Sequence, residues 1–139
     1  MAKRGPILLV EDDKDDQEII KEVLHQINIP NKFICFANGQ EVLDYLKTTA
    51  DQPFLILCDV NMPVMDGLEL RKSIDENEYL RRKSIPFVFL TTTAGGSAVK
   101  AAFDMSVQGF FEKGSNMQEI GTIIRLIYDY WQMCRHPNN

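Results

Sequence analysis

The apolar run Phe54-Leu55-Ile56-Leu57-Cys58 ends in Asp59 and passes at once into the loop Val60-Asn61-Met62-Pro63-Val64-Met65-Asp66-Gly67. A short continuous apolar run bounded by turn residues is typical of a strand that is buried on both faces. It predicts a strand over 54–59 and, after the proline and glycine, a helix from Gly67 to about Asn77. A carboxylate at the tip of a buried strand is placed to do chemistry, although most such aspartates only cap the next turn.

The rest of the chain repeats this alternation of short apolar runs and amphipathic stretches. We predict further strands at 7–11, 32–36, 86–91 and 109–113, and further helices at 13–27, 38–47, 95–106 and after residue 115. Ser115 and Gln118 are predicted to form a capping box for the last helix. The charged segment 75–84 is predicted to be the exposed end of the third helix plus a loop. Five strands alternating with five helices predict an α/β fold, with a parallel sheet covered on both faces.

Length and composition limit the classes of function. The 139 residues suit one domain over 1–139, with 134–139 as a short tail. The net charge of −5 argues against non-specific nucleic-acid binding. No apolar stretch approaches the roughly 20 residues that cross a membrane, and the N-terminal apolar run is too short for a signal peptide. Three cysteines without metal-ligand spacing are typical of a reducing cytoplasm.

Polar side chains stand at the ends of four predicted strands. The first strand ends in Glu11-Asp12, the third in Asp59, the fourth in Thr91 and the fifth in Lys113. Ligands of open parallel sheets bind beyond the carboxyl ends of the strands, so we expect these groups to meet at one edge. Each residue alone has an ordinary structural explanation, but their joint placement does not.

The acidic run at the start of the first predicted helix has two interpretations. Its later members are explained by favourable charge on the first helical turn: Asp13, Asp15, Asp16 and Glu18. Glu11 and Asp12, at the strand end, instead suit a divalent cation, since Mg²⁺ prefers hard oxygen ligands and keeps waters that a phosphate oxygen can replace. Thr91 and Lys113 could then hold further phosphate oxygens while Asp59 accepts a phosphoryl group.

With these motifs in place, the sequence closely resembles the receiver domain of two-component response regulators. The matching segments are Ile7-Leu8-Leu9-Val10-Glu11-Asp12-Asp13, residues 57–67, Ile85-Pro86-Phe87-Val88-Phe89-Leu90-Thr91 and Gly109-Phe110-Phe111-Glu112-Lys113. The resemblance implies a flavodoxin-like, doubly wound five-stranded parallel sheet in the order 2-1-3-4-5 with five helices. It also implies a single CheY-like receiver domain without an output domain.

The resemblance assigns roles to the acidic residues. Asp59 would be the phosphoacceptor, forming 4-aspartylphosphate. Asp12 and Asp59 would bind Mg²⁺ directly, together with the backbone carbonyl of Asn61, and Glu11 would act mainly through water.

The resemblance also assigns roles to residues around the phosphoryl group. Thr91 and Lys113 would contact that group, and Phe110 would be the aromatic whose rotamer follows phosphorylation. Three positions depart from the family pattern. Glu11 stands where Asp is commoner, Gly114 replaces the usual proline in a cis bond, and Thr92 replaces a smaller residue beside the site.

The implied function is a Mg²⁺-dependent phosphorylation switch in phosphorelay signal transduction. A sensor histidine kinase or a histidine phosphotransfer protein would supply the phosphoryl group. The phosphorylated form would bind a downstream protein through the face formed by the fourth helix, fifth strand and fifth helix, or would relay the phosphate to another histidine. The chain would be cytoplasmic, with no nucleic-acid or membrane partner and with a homodimer left open. It would catalyse only its own phosphorylation and dephosphorylation.

Three other hypotheses for the function of the chain remain open. A sheet-based aspartyl-phosphate hydrolase commonly carries an acid two residues after the nucleophile, where this chain has Asn61. A flavin domain of the same strand order would meet repulsion between its phosphate and the acidic strand ends. A receiver-like scaffold that is never phosphorylated would need none of the reactive residues that this chain carries.

Overall fold

Five parallel strands form one sheet in the computed structural model, which describes residues 2–91, 96–105 and 107–137. The strands are β1 (Ile7–Val10), β2 (Phe33–Phe36), β3 (Leu55–Cys58), β4 (Phe87–Thr91) and β5 (Gly109–Glu112). Their order is β2-β1-β3-β4-β5, and every neighbouring pair is parallel. The predicted strand order and parallel sheet are confirmed, and each predicted strand differs from the observed one by at most one residue at either end.

The central strands are buried on both sides. All residues of β1, β3 and β4 are buried, whereas the outer strands β2 and β5 are only partly covered. In the register of β1 with β3, Ile7 lies beside Leu55 and Val10 beside Cys58. The two strands therefore end level with each other at the carboxyl edge of the sheet.

Helices cover both faces of the sheet. They are α1 (Lys14–Gln26), α2 (Gly39–Thr48), α3 (Gly67–Glu76), α4 (Glu78–Arg82), α5 (Gly96–Asp104) and α6 (Met117–Met133), after a short 3-10 helix at Ala2–Arg4. One core packs α1 and α6 on alternate residues of the central strands, and a second core packs α2 to α5 on the residues between them. Within the described ranges, no helix combines the length and the apolar character needed to cross a membrane.

The predicted count of five helices is wrong, because the charged segment after α3 contains a helix of its own. α3 ends at Glu76, and the Asn77 side chain then accepts a hydrogen bond from the backbone N–H of Leu80, at 3.1 Å. That cap starts α4, and its Leu80 is buried in the core. Six α-helices are therefore present in the described part of the chain.

The predicted capping box of the last helix is also wrong. Asn116, not Ser115, caps α6, because its side chain accepts from the backbone N–H of Glu119 at 2.9 Å. The Glu119 carboxylate accepts from the backbone N–H of Ser115 at 2.7 Å. The other predicted cap, Asn38 before α2, is confirmed.

The amino edge of the sheet holds both ends of the described chain. Lys3 Nζ donates to the carbonyl of Gln132 at 2.7 Å, and Gln132 Nε2 donates to the carbonyl of Lys3 at 3.0 Å. His136 is buried, with Nε2 3.0 Å from the carbonyl oxygen of Phe54, the residue before β3. These contacts lie at the end of the sheet opposite to the acidic strand ends.

Gly67 allows a close backbone approach at the start of α3. A Cβ at this position would lie 2.3 Å from the carbonyl oxygen of Asp59 and 2.7 Å from Cε1 of Phe89. We expect Gly67→Ala to lower the free energy of unfolding, measured in urea, by about 1–3 kcal/mol.

The matched control is Gly96→Ala in α5, where a Cβ would have no heavy atom of the described residues within 4 Å. We expect that variant to be neutral or more stable by up to about 1 kcal/mol, because alanine favours helix over glycine. Equal losses in both variants would contradict the close approach at Gly67.

Candidate functional site

Backbone hydrogen bonds place the candidate residues at the carboxyl edge of the sheet. The N–H of Asp59 donates to the carbonyl of Val10 at 2.9 Å, and the N–H of Glu11 donates to the carbonyl of Phe36 at 2.9 Å. The N–H of Lys113 donates to the carbonyl of Thr91 at 2.6 Å. Each bond continues a strand pairing by one step, so the sheet itself holds these three residues in position.

Three carboxylates from two neighbouring strand ends lie together. One ligand oxygen each from Glu11, Asp12 and Asp59 falls within 4.8 Å of the others. Glu11 is 1% exposed and Asp59 is 7% exposed, whereas Asp12 is exposed to solvent. Hard oxygen donors open to solvent on one side fit a divalent cation that keeps several waters. The backbone carbonyl of Asn61 as a further ligand stays a prediction.

Asp59 is fixed by two donors to the same oxygen. Thr91 Oγ1 donates to Asp59 Oδ1 at 2.6 Å, and the backbone N–H of Val60 donates to it at 2.7 Å. Thr91 is 1% exposed, so this hydroxyl bond is shielded from water. The two residues come from β3 and β4 strand ends, and the structure brings them into direct contact.

Lys113 lies among carboxylates. Its ammonium forms an ion pair with Glu11, and its Nζ lies 3.2 Å from Oδ2 of Asp16. The Lys113 side chain is only 5% exposed. Lys113 lies at this edge, as the sequence predicts, but its contact with Asp16 is not predicted, because favourable helix charge already explains Asp16.

Asp16 does stand on the first turn of α1, as the sequence predicts. Asp13 caps that helix, and its Oδ1 accepts from the N–H of Asp15 at 2.8 Å and from that of Asp16 at 3.2 Å. The signal that could have found the contact is spacing: a residue in the first turn after a strand end can overhang the edge of the sheet.

Burial and charge together shift the pKa values of the ion pair Glu11 and Lys113. Burial raises the pKa of Glu11 to about 7, although the hydrogen bond and charge of Lys113 oppose that shift. Burial would lower the pKa of Lys113, but the hydrogen bond and charge of Glu11 outweigh it, and the pKa of Lys113 is raised. Lys113 is therefore an ammonium at neutral pH.

Phe110 lies beside the site on the face of the sheet that α2 to α5 cover. Its ring centroid is 5.4 Å from that of Phe89, and it is partly buried against the same core. Its register partner is also Phe89, which lies two residues before Thr91. The rotamer change assigned to Phe110 stays a prediction.

Of the departures from the family pattern, the structure describes Gly114 but not Thr92. Among the described residues no peptide bond is cis, and a Cβ at Gly114 would lie 2.1 Å from Cβ of Glu119. The chain therefore turns here in a way that only glycine fits. Thr92 lies outside the residues that the structure describes.

The chain matches a known protein family over most of its length. Residues 7–125 match the family described as response regulator receiver domain. The chain is 32% identical over 130 residues to the response regulator Rcp1 of Synechocystis sp. (strain ATCC 27184 / PCC 6803 / Kazusa), covering 90% of this chain and 87% of that protein.

Two solved structures are similar over nearly the whole chain. The phosphorylated cyanobacterial phytochrome response regulator RcpA has a TM-score of 0.86 and 29% identity, covering 96% of this chain and 99% of that one. The Mn²⁺-bound form of Rcp1 has a TM-score of 0.81 and 30% identity, with the same two coverages.

Val64, in the loop after Asp59, carries backbone strain. Its φ is 66°, in the left-handed region that β-branched residues avoid, and its side chain is 80% exposed. We expect Val64→Asn to raise the free energy of unfolding by about 1 kcal/mol, because asparagine tolerates this conformation and little burial is lost.

The reciprocal control is Asn28→Val, since Asn28 has a φ of 59° after α1. This variant should lose a similar amount in the same urea titration. Loss of stability in Val64→Asn would show that Val64 contributes more by contact than it costs in strain.

The raised pKa of Glu11 predicts a pH dependence in metal-free protein. Between about pH 4.5 and pH 7 the folded state holds a proton that the unfolded state has released. The contribution of Glu11 to the free energy of unfolding is thus fully present below pH 4.5 and is lost as pH rises through 7.

We therefore expect the wild type to lose stability relative to Glu11→Gln as pH rises from 5 to 8, in urea titrations with a chelator. Glu22→Gln, at an exposed position of α1, controls for the loss of one negative charge. Parallel pH profiles for wild type and Glu11→Gln would contradict a raised pKa at Glu11.

Proposed function

We propose that Asp59 is the phosphoacceptor of this chain, which belongs to the receiver-domain family of two-component response regulators. Phosphorylation of an aspartate in two-component signalling is the general function of that family, and its members interact with histidine kinases and with downstream partners. The observation that supports Asp59 is its position: it ends β3 beside Glu11 and Asp12, with Thr91 bonded to it.

In the proposed reaction, a carboxylate oxygen of Asp59 forms a bond to phosphorus while the bond from phosphorus to the donor's histidine nitrogen breaks. The Thr91 hydroxyl and the Val60 N–H hold the Asp59 carboxylate still before attack. Lys113 supplies a positive charge beside the developing negative charge of the phosphoryl oxygens. The histidine nitrogen that leaves takes a proton from water.

We propose Mg²⁺ as the resident cation, held by Asp12 and Asp59 with the carbonyl of Asn61, and by Glu11 mainly through water. The family binds divalent metal, and the carboxylates of this chain fit one. A bound cation offsets negative charge on carboxylates and phosphoryl oxygens. Without it, the Glu11 carboxylate is held by the Lys113 ammonium.

The switch that we propose starts at Thr91. Its hydroxyl donates to Asp59 in the unphosphorylated structure, and a phosphoryl group on Asp59 offers it a new, more highly charged acceptor. A shift of Thr91 would open space in the packing of Phe89 against Phe110, and the Phe110 ring would follow inward. Phosphorylation would thereby change the relative populations of two packings of β4 and β5.

The downstream partner would bind the face formed by α5, β5 and α6. These are the fourth helix, fifth strand and fifth helix of the sequence prediction, renumbered because α4 is an additional helix. Several large apolar side chains on these two helices are exposed: Phe103 at 54%, Leu126 at 61%, Tyr130 at 60% and Met133 at 87%. Trp131, next to Tyr130, packs instead against the core that α1 and α6 share. The same face could join two copies of the chain, and we place the reaction in the cytoplasm, where kinase phosphodonors are made.

Acetyl phosphate tests the assignment of Asp59. With Mg²⁺ present, we expect intact-protein mass spectrometry to find one added phosphoryl group on the wild type and none on Asp59→Asn, because the amide is a poor nucleophile. Addition of a chelator should abolish the adduct, and separate titrations with Mg²⁺ and Mn²⁺ would compare the two cations.

Asp104→Asn is the matched control, because Asp104 is an exposed aspartate at the end of α5. It should be labelled like the wild type. Labelling of Asp59→Asn at the wild-type rate would refute Asp59 as the acceptor.

A further inference from the structure

We infer that Asp16 is a positioning residue for Lys113, holding its ammonium where one N–H remains for a phosphoryl oxygen on Asp59. The inference rests on the proposed function of Asp59 and adds to it a residue on α1. Asp16 would act only through Lys113, without touching the phosphoryl group.

The Lys113 ammonium is held through two of its N–H hydrogen-bond donors. An ammonium has three N–H donors and no acceptor. In the described structure, one donor meets Glu11 and a second meets Oδ2 of Asp16 at 3.2 Å. The two carboxylates come from different elements, the end of β1 and the first turn of α1. Both contacts orient the ammonium, and within the described residues the third donor is left for a phosphoryl oxygen on Asp59.

Glu11 is shared between Lys113 and the acidic cluster. Its carboxylate lies with those of Asp12 and Asp59, the group of residues that would hold a divalent cation. Asp16 is not a member of that group. Its backbone N–H is held by the Asp13 cap at 3.2 Å, so its position is set by the start of α1. Asp16 is therefore an anchor for Lys113 whose position does not depend on the cation.

Lys113 has particular need of a second anchor. Its backbone is held by the carbonyl of Thr91, but β5 has already ended at Glu112 and Gly114 follows. The four-carbon stem of a lysine is flexible, and its charge has no fixed direction of its own. Two carboxylates around a side chain that is 5% exposed restrict the ammonium to one place.

The alternative is that Asp16 serves only as favourable charge at the start of α1. Asp15 separates the two explanations, because it occupies the same first turn and is exposed. The ion pairs of Lys113 within the described residues are with Glu11 and Asp16, not Asp15. Asp15→Asn and Asp16→Asn thus remove the same charge from the same turn, and only the second removes a charge that is paired with Lys113.

The test is the rate of labelling of the full chain by acetyl phosphate in saturating Mg²⁺. We expect Asp16→Asn to be slower than the wild type by about three- to tenfold, the range for a charged hydrogen bond that is partly exposed. Asp15→Asn should change the rate by less than about twofold. Urea midpoints would confirm that all variants are folded under the assay conditions.

A double variant tests whether Asp16 acts through Lys113. In a Lys113→Met background, at acetyl phosphate concentrations that give a measurable rate, adding Asp16→Asn should have no further effect. A wild-type rate in Asp16→Asn, equal slowing in Asp15→Asn, or a full additional loss in the double variant would each overturn the inference. Failure of the wild type to be labelled would instead refute the proposed function.

Discussion

The double-sided burial of β1, β3 and β4 is the constraint on which the site depends. Because these strands are apolar on both faces, their register is set by packing, and a slip of one residue would turn every side chain to the other face. Val10 lies beside Cys58 in that register, so the next residues, Glu11 and Asp59, leave the sheet side by side. Thr91 ends the adjoining strand. The reactive groups are thus placed by the core, and the loops that follow have only to leave them accessible.

This placement has an electrostatic cost that the last strand offsets. Burial removes hydration from the Glu11 carboxylate, and the nearby charge of Asp59 adds a smaller repulsion, which is why the pKa of Glu11 is raised. The Lys113 ammonium, delivered by the end of β5, pairs with Glu11 and partly compensates. An ion pair that is buried to this degree is weak evidence for stability, since desolvation consumes much of its Coulomb energy. Its significance lies in keeping a positive charge beside Asp59.

The sequence predicted what depends on local patterns and failed where the outcome depends on distant or competing contacts. Continuous apolar runs located all five strands, and the polar residues that end them identified Glu11, Asp59, Thr91 and Lys113 as neighbours. The contact of Asp16 with Lys113 joins residues 97 positions apart, so the spacing of Asp16 after β1 indicates that it can reach this edge but not which side chain it meets there. Asn116 and Ser115 are both good caps, and the structure uses Asn116. The strain at Val64 was equally hidden, because valine is not a residue that predicts a positive φ.

The hydrogen bonds between Lys3 and Gln132, and that of His136 to Phe54, hold both ends of the described chain at the amino edge of the sheet. Asp59 follows the four-residue strand β3, roughly 16 Å from Phe54. A fluorophore, a surface tether or a fused protein attached at either end would therefore leave the acidic edge open to a phosphodonor. Such a label would also lie about a strand length away from Thr91. Labels meant to report the change of state belong on α5 or α6 instead.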